Sequence, residues 1–358
     1  MPRPSRVVDG TDTTAPPLSY AVVVPTRLRD TLADCLGALA AATGAPPDEI
    51  VLVDDRRGPD HGDLGHPLDV LGDLRARTTV VRSGGHGPAV ARNAGLRGVR
   101  TADWVVFLDD DVQVGPHWCE QVVRDLAEAP STTAGVQGVI TVPLPGGRRP
   151  TDCERRTVGL ATARWITSDM AYRTAVLREV GGFDERFRHA QHEDTDLALR
   201  VLDAGWGIRR GRRTTRHPVR PADRWDSLHD ERGNADDALM VRLHGPDWWY
   251  KTASPRGRIR AHAALTSAGV AACALLAARR PAAAGLAAGA WTLGTTRLAW
   301  KRIAPGPRTR YEVDTMLVTS VLIPPAAVCH RLSGLWRHRA ARPWREVTRS
   351  SGPPVPTN

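Results

Sequence analysis

The chain has 358 residues, with 49 Lys+Arg against 39 Asp+Glu and a formal net charge of +10. At about 100–200 residues per domain that length allows one large domain or two modest ones, and 41% hydrophobic with 25% charged residues excludes a wholly disordered or collagen-like protein. The sum conceals a split: residues 1–205 carry 23 basic and 29 acidic residues, net −6, while residues 206–358 carry 26 and 10, net +16, which points to a polyanionic partner for the second part.

From Tyr20 the pattern alternates strand and helix. Tyr20–Val24 is a short apolar, β-branched run stopped by Pro25, the form of a buried parallel strand. Asp30–Ala42 places Leu32, Leu36, Leu39 and Ala40 at helical spacing ahead of Gly44 and two prolines. Ile50–Val53 predicts a second strand, ending in Asp54 and Asp55, and Thr78–Val81 a third. Gly87–Gly98 predicts a helix that opens on Gly-Pro, and Trp104–Leu108 a fourth strand, ending in Asp109, Asp110 and Asp111. Gly135–Val142 reads as a further strand, Asp194–Ala204 as a helix closed by Gly205, and Arg209–Arg220 as a basic stretch containing His217. Past about residue 225 the alternation fades. Elements in this order predict a doubly wound, mainly parallel α/β sheet, in which ligands sit outside the carboxyl ends of the strands.

Acids gather at that edge. Three adjacent carboxylates repel one another unless a cation offsets the charge, and hard cations such as Mg²⁺ or Mn²⁺ bridge carboxylates to substrate phosphates. Alternate residues of an extended segment point the same way, so Asp109 and Asp111 can share a face. Asp54 and Asp55 have the same address and suit hydrogen bonds to a nucleobase or ribose; a turn initiator reads the same way. Arg82-Ser83-Gly84-Gly85-His86-Gly87-Pro88 leads into a helix bearing Arg92, where backbone amides and a guanidinium suit an anion. Glu193, Asp194 and Asp196 fall in one helical first turn, more acids than capping requires, and one of them can serve as a general base. His217 is a candidate metal ligand, although a lone histidine is more often structural.

Taken together these segments resemble a family-2 glycosyltransferase of the GT-A fold. The resemblance rests on Val22-Val23-Val24-Pro25-Thr26-Arg27, Ile50-Val51-Leu52-Val53-Asp54-Asp55, Gly87-Pro88-Ala89-Val90-Ala91-Arg92-Asn93-Ala94-Gly95, Phe107-Leu108-Asp109-Asp110-Asp111, Gly181-Gly182-Phe183-Asp184-Glu185 and Glu193-Asp194-Thr195-Asp196, in the family's order over residues 18–220. It implies a nucleotide-diphospho-sugar donor framed by Pro25, Thr26 and Arg27 with Asp54 or Asp55, Arg92 near the diphosphate, and Asp110 toward the ribose. It also implies a divalent metal on Asp109 and Asp111 with His217 as a further contact, and Asp194 of the Glu193-Asp194 pair as the base that deprotonates an acceptor hydroxyl, with inversion. Gly181 and Gly182 would shape the acceptor side. The processive members' Gln-x-x-Arg-Trp is missing, since Arg224-Trp225 lacks the Gln, so single addition is expected rather than polymerisation.

The last third lies outside the resemblance. Segments 261–278 and 281–296 hold no formal charge and are separated by Arg279-Arg280. Both are marginal against the ~20 apolar residues of a spanning helix. A third run, Met316–Val328, is broken by Pro324-Pro325. Basic residues at every boundary suit helices lying in one anionic leaflet rather than a simple spanning hairpin; a soluble helical subdomain is the alternative. The expected organisation is a disordered lead-in over 1–17, the GT-A domain over 18–225, a membrane-associated helical region over 226–340 and a disordered tail over 341–358. The cytoplasmic face of the cell membrane, or else the cytoplasm, is the expected location, with no signal peptide visible. A lipid-linked acceptor would suit the apolar region. No nucleic acid is expected, for want of a recognition helix or stacking platform. Five scattered cysteines without CxxC spacing argue against a zinc site and a disulfide framework. The competing readings are a nucleotidyltransferase and a catalytically degenerate membrane scaffold of the same fold.

Overall fold

The computed structural model describes residues 18–58, 65–252, 254 and 256–344; the lead-in over 1–17 and most of the tail lie outside them. The first part runs β1 (Tyr20–Thr26), α1 (Thr31–Ala41), β2 (Glu49–Asp54), α2 (Gly65–Asp69), β3 (Thr78–Arg82), α3 (Pro88–Gly98), β4 (Trp104–Leu108), β5 (Gln113–Val114) and α4 (Trp118–Ala127). β6 (Thr133–Thr141), α5 (Asp152–Val158), β7 (Asp169–Arg173), α6 (Thr174–Glu179), α7 (Glu193–Asp203) and β8 (Gly207–Arg216) complete the sheet region. Among the described residues only helices follow: α8 (Asp226–His229), α9 (Gly233–His244), α10 (Trp248–Lys251), α11 (Ile259–Ala277), α12 (Pro281–Ile303) and α13 (Arg310–Arg337).

The eight strands form one sheet in the order β3-β2-β1-β4-β7-β6-β8-β5. The expected parallel pairing holds from β3 to β4 and again between β6 and β8, whereas β7 and β5 pair antiparallel, so the sheet is mixed. Central strands are apolar on both faces because helices cover both. Tyr20, Val22 and Val24 face a core shared with α1 and α4. Ala21 and Val23 face a second core with α3, α6 and α7. Gly95 permits the close approach of α3: a Cβ there would lie 2.3 Å from Val23 Cγ1 and 3.0 Å from Val53 Cγ2. The strand order reverses between β1 and β4, which puts the crevice of the sheet at the carboxyl ends of those strands.

The helical region joins the sheet region through a third core, in which Phe187 and Leu199 meet Leu239, Met240, Leu243 and Trp248. α13 corrects one expectation: it runs unbroken through Pro324 and Pro325. Each interior proline forfeits a backbone hydrogen bond, and burial of Ile323, Pro324 and Ala327 against neighbouring helices offsets that loss. Residues 341–344, expected to open the tail, lie against the body, with Trp344 under the Arg200 guanidinium at 4.9 Å.

Candidate active site

Strand register assembles the site. Leu108 pairs with Asp169, so Ser168, just before β7, stands beside Asp109. Gln113 pairs with Arg216, so His217, just past β8, comes back beside Asp111. β1 ends at Thr26, next to the same edge. A cavity of about 460 Å³ results, lined by Pro25, Thr26, Arg27, Asp55, Arg92, Asp109, Asp110, Asp111, Glu193, Asp194 and His217 among others. Asp54, a candidate for the base or ribose, does not line it: its carboxylate takes the Arg56 guanidinium in a two-pronged pair at 2.9 Å. Asp55 accepts a 2.7 Å bond from Ser83 Oγ on one oxygen.

The three strand-end acids have separate fates. Asp110 is buried and engaged, accepting from Thr26 Oγ1 at 2.7 Å and from Arg29 at 3.0 Å. Asp109 accepts from Ser168 Oγ at 2.6 Å and from Arg92 at 2.9 Å. Burial opposes its ionisation, yet Arg92 and the Ser168 hydroxyl hold its carboxyl below the usual range. Asp111 goes the other way: burial and then the neighbouring Asp109 charge push it up. It pairs with Arg220 at 3.1 Å and lies 3.7 Å from His217 Nε2.

Donor atoms of Asp109, Asp111 and His217 lie within 4.8 Å of one another. Mg²⁺–oxygen bonds of about 2.1 Å separate opposed ligands by about 4.2 Å, so a small inward movement closes the set. The tautomer fits as well. His217 Nδ1 is 3.2 Å from the Pro218 carbonyl, which only accepts, so Nδ1 carries the proton. In the neutral ring Nε2 then presents its lone pair toward the Asp111 carboxylate, the form in which a histidine ligates a cation.

Arg92 links this cluster to the second acid group. Its guanidinium, 4% exposed, donates to Asp109 Oδ1 at 2.9 Å and to Glu193 Oε1 at 2.7 Å. Glu193 Oε2 is buried without a partner among the described residues, and burial, reinforced by Asp194, pushes its carboxyl up to about 8. Asp194 is raised too, by burial first, with Arg92 opposing. Its Oδ1 accepts from Thr195 N at 2.6 Å, and no described donor reaches Oδ2. The pair opens α7 immediately after His192, whose φ of 71° is left-handed and whose ring stands edge-on to Trp248 at 4.8 Å.

Other expectations shift. Asp196 faces away from the cavity, gripped by Arg200 at 2.9 Å and His244 at 2.8 Å, and is structural. Gly181 and Gly182 line a different cleft, with Gly182 against Asn93, whose amide brackets the Phe183 backbone. Residues that sequence reasoning missed are Ser168, Arg29 and His189; no local pattern marks them, because only sheet register and loop packing bring them to the cavity. Arg220 lay within the basic stretch already noted.

An α/β sheet of this order with its acids at the switch point defines the GT-A class of fold. The mannosyltransferase PcManGT from Pyrobaculum calidifontis, solved in complex with GDP-Man and Mn²⁺, shares it, with a TM-score of 0.51, 15% identity, and coverage of 89% of this chain and 87% of that one. Residues 21–178 match the family model of glycosyl transferase family 2. Over 138 residues the chain is 33% identical to the pre-mycofactocin glycosyltransferase of Mycobacterium tuberculosis, in strain CDC 1551 / Oshkosh and in strain ATCC 25618 / H37Rv, covering 34% of this chain. The match spans 28% of the length of those curated relatives. Glu193, Asp194 and His217 lie beyond the stretch that matches the family model.

Proposed function

We propose that the protein is a metal-dependent, inverting glycosyltransferase that moves one sugar from a nucleotide-diphospho-sugar to an acceptor hydroxyl. The observation that carries this reading is the single cavity in which the Asp109–Asp111–His217 cluster and Asp194 meet, joined through Arg92 and Glu193.

Asp55, with one carboxylate oxygen free of described donors, accepts from the base or ribose, and Pro25 and Thr26 form the wall beside it. Arg27 and Arg92 offset the donor's negative charge. Asp109, Asp111 and His217 would hold Mg²⁺ or Mn²⁺, which would supply Lewis-acid stabilisation to the departing diphosphate. Asp194 Oδ2 takes the acceptor hydroxyl's proton as that oxygen attacks the anomeric carbon opposite the leaving group, so the configuration inverts. Glu193, held by Arg92, keeps the turn that presents Asp194. Single addition follows the missing Gln of the processive motif. A lipid-linked acceptor on the cytoplasmic side of the cell membrane suits the apolar helical region.

Screening release of nucleoside diphosphate across a panel of nucleotide sugars, with Mn²⁺ and with chelator, tests the proposal. Turnover with at least one donor that disappears on chelation supports it. Full turnover in chelator, or none with any donor and a range of hydroxyl acceptors, removes it.

A further inference from the structure

Helices α11 to α13 expose apolar surface that a soluble core helix would hide. The most apolar stretch of α11 has a mean hydropathy of 1.4 and is only 6% buried. Along α12, Leu286, Leu293 and Trp300 recur every seven residues at 80%, 73% and 61% exposure. Along α13, Val318, Leu322, Cys329, Leu332 and Trp336 recur at helical spacing, and all five are exposed. The other sides of these helices are occupied. α11 and α12 pack antiparallel, with Gly269 against Trp291 and Gly294 against Leu265. Arg302 ties α12 to Asp152 and Ser227, while Arg331 ties α13 to Asp237.

Charge selects the occupant. Residues 256–344 contain 14 basic and two acidic residues, Glu312 and Asp314. Glu312 is buried and accepts from the Asp152 amide, whereas Arg279, Arg280, Arg297, Lys301, Arg308 and Arg310 are exposed. A second copy would bring like charge against like charge; an anionic lipid surface meets both the arginines and the aliphatic stripes. We infer that α11–α13 form a docking face for an anionic bilayer, lying in one leaflet. α13 cannot cross a membrane in this arrangement, because Glu312 near its start and Arg331 near its end are both bound to the body. Arg279-Arg280 at the far end of the α11–α12 hairpin keeps that end at the head groups.

The test reads binding and does not depend on the transferase reading. The full chain is floated with vesicles of phosphatidylcholine alone or with one third phosphatidylglycerol, while Cys273 and Cys329, both exposed, are labelled with an impermeant maleimide. Flotation with anionic vesicles only, loss of binding in 1 M salt as the Debye length shrinks to about 3 Å, and at least fivefold slower labelling of one or both thiols are expected. The double variant R279E/R280E should bind at least about tenfold more weakly. Flotation independent of lipid charge, or labelling unchanged by vesicles, overturns the inference. So does protection of the thiols by raised protein concentration without lipid, which assigns the face to a second copy.

Discussion

Arg92 is the residue on which the charges of the site balance. One buried guanidinium serves Asp109 of the proposed metal cluster and Glu193 beside the proposed base, so removing it strips Asp109 of its counter-charge and Glu193 of its donor. Asp194→Asn retains the shape of the turn but removes the proton acceptor; donor affinity should stay within about twofold while transfer falls by at least about a hundredfold, the scale of general-base catalysis. Asp111→Ala removes a ligand of the proposed cation, and nucleotide-sugar titrations should show at least about tenfold weaker binding in Mn²⁺ and no change in chelator. Glu193 adds a pH signature. Its carboxyl is raised to about 8 in the folded chain from an ordinary 4.5, so the folded state holds the extra proton and stability falls as pH rises between those values. Melting curves from pH 5 to 8 should slope downward for the wild type, and Glu193→Gln should flatten them; parallel slopes would count against the protonated glutamic acid.

At the scale of elements, the segment that presents Asp194, the proposed base, is braced by helices distant in sequence. Phe187 sits in the third core, His189 Nδ1 meets Asp236 Oδ2 at 2.9 Å, Gln191 Nε2 reaches the Asp230 carbonyl at 3.3 Å, and His192 leans on Trp248. These contacts hold His192 in a left-handed conformation that a non-glycine residue adopts only under constraint. Trp248→Ala should therefore lower turnover while donor affinity is kept, along with a stability loss of about 3–5 kcal/mol for a buried tryptophan. Trp248→Phe keeps a ring against His192 and should recover most of the turnover. Calorimetric donor binding beside single-turnover rates separates this positioning role from a general loss of folded protein.

For the whole molecule, the helical region packs into one body with the candidate site. A chain cut after residue 225 exposes Phe187 and Leu199 and removes the Asp230, Asp236 and Trp248 contacts to the segment before Asp194. Such a fragment should aggregate or, if soluble, bind donor without transferring it; sedimentation and a turnover assay check this, and full turnover would sink the idea that α9 and α10 complete the site. α9 also carries α13, where Arg331 pairs with Asp237 at 2.6 Å. The proposed membrane face and the base-bearing turn are thus packed against the same short helix.

Local pattern alone determined five of the eight strands, β1 to β4 and β6, helices α1, α3 and α7, and the acids that end β2 and β4, whereas β5, β7 and β8 escaped it. Trp104–Leu108 is a strand because five apolar residues fit a position buried on both faces, and Asp109–Asp111 follow it wherever the strand is placed. Helix α3 was legible from Gly87-Pro88 and the small residues that let it lie on the sheet. Tertiary structure decided what no spacing encodes. The choice of Asp55 over Asp54, the engagement of Asp110 by Thr26, and the structural use of Asp196 depend on which neighbour arrives first at each carboxylate. His217 reaches Asp111 across 106 residues through the antiparallel register of β5 and β8. Pro324-Pro325 reads locally as a break, yet packing on several sides outweighs two lost backbone bonds. Short-range propensity is a property of neighbours along the chain, whereas charge pairing and packing belong to neighbours in space, which only the folded sheet and its helices supply.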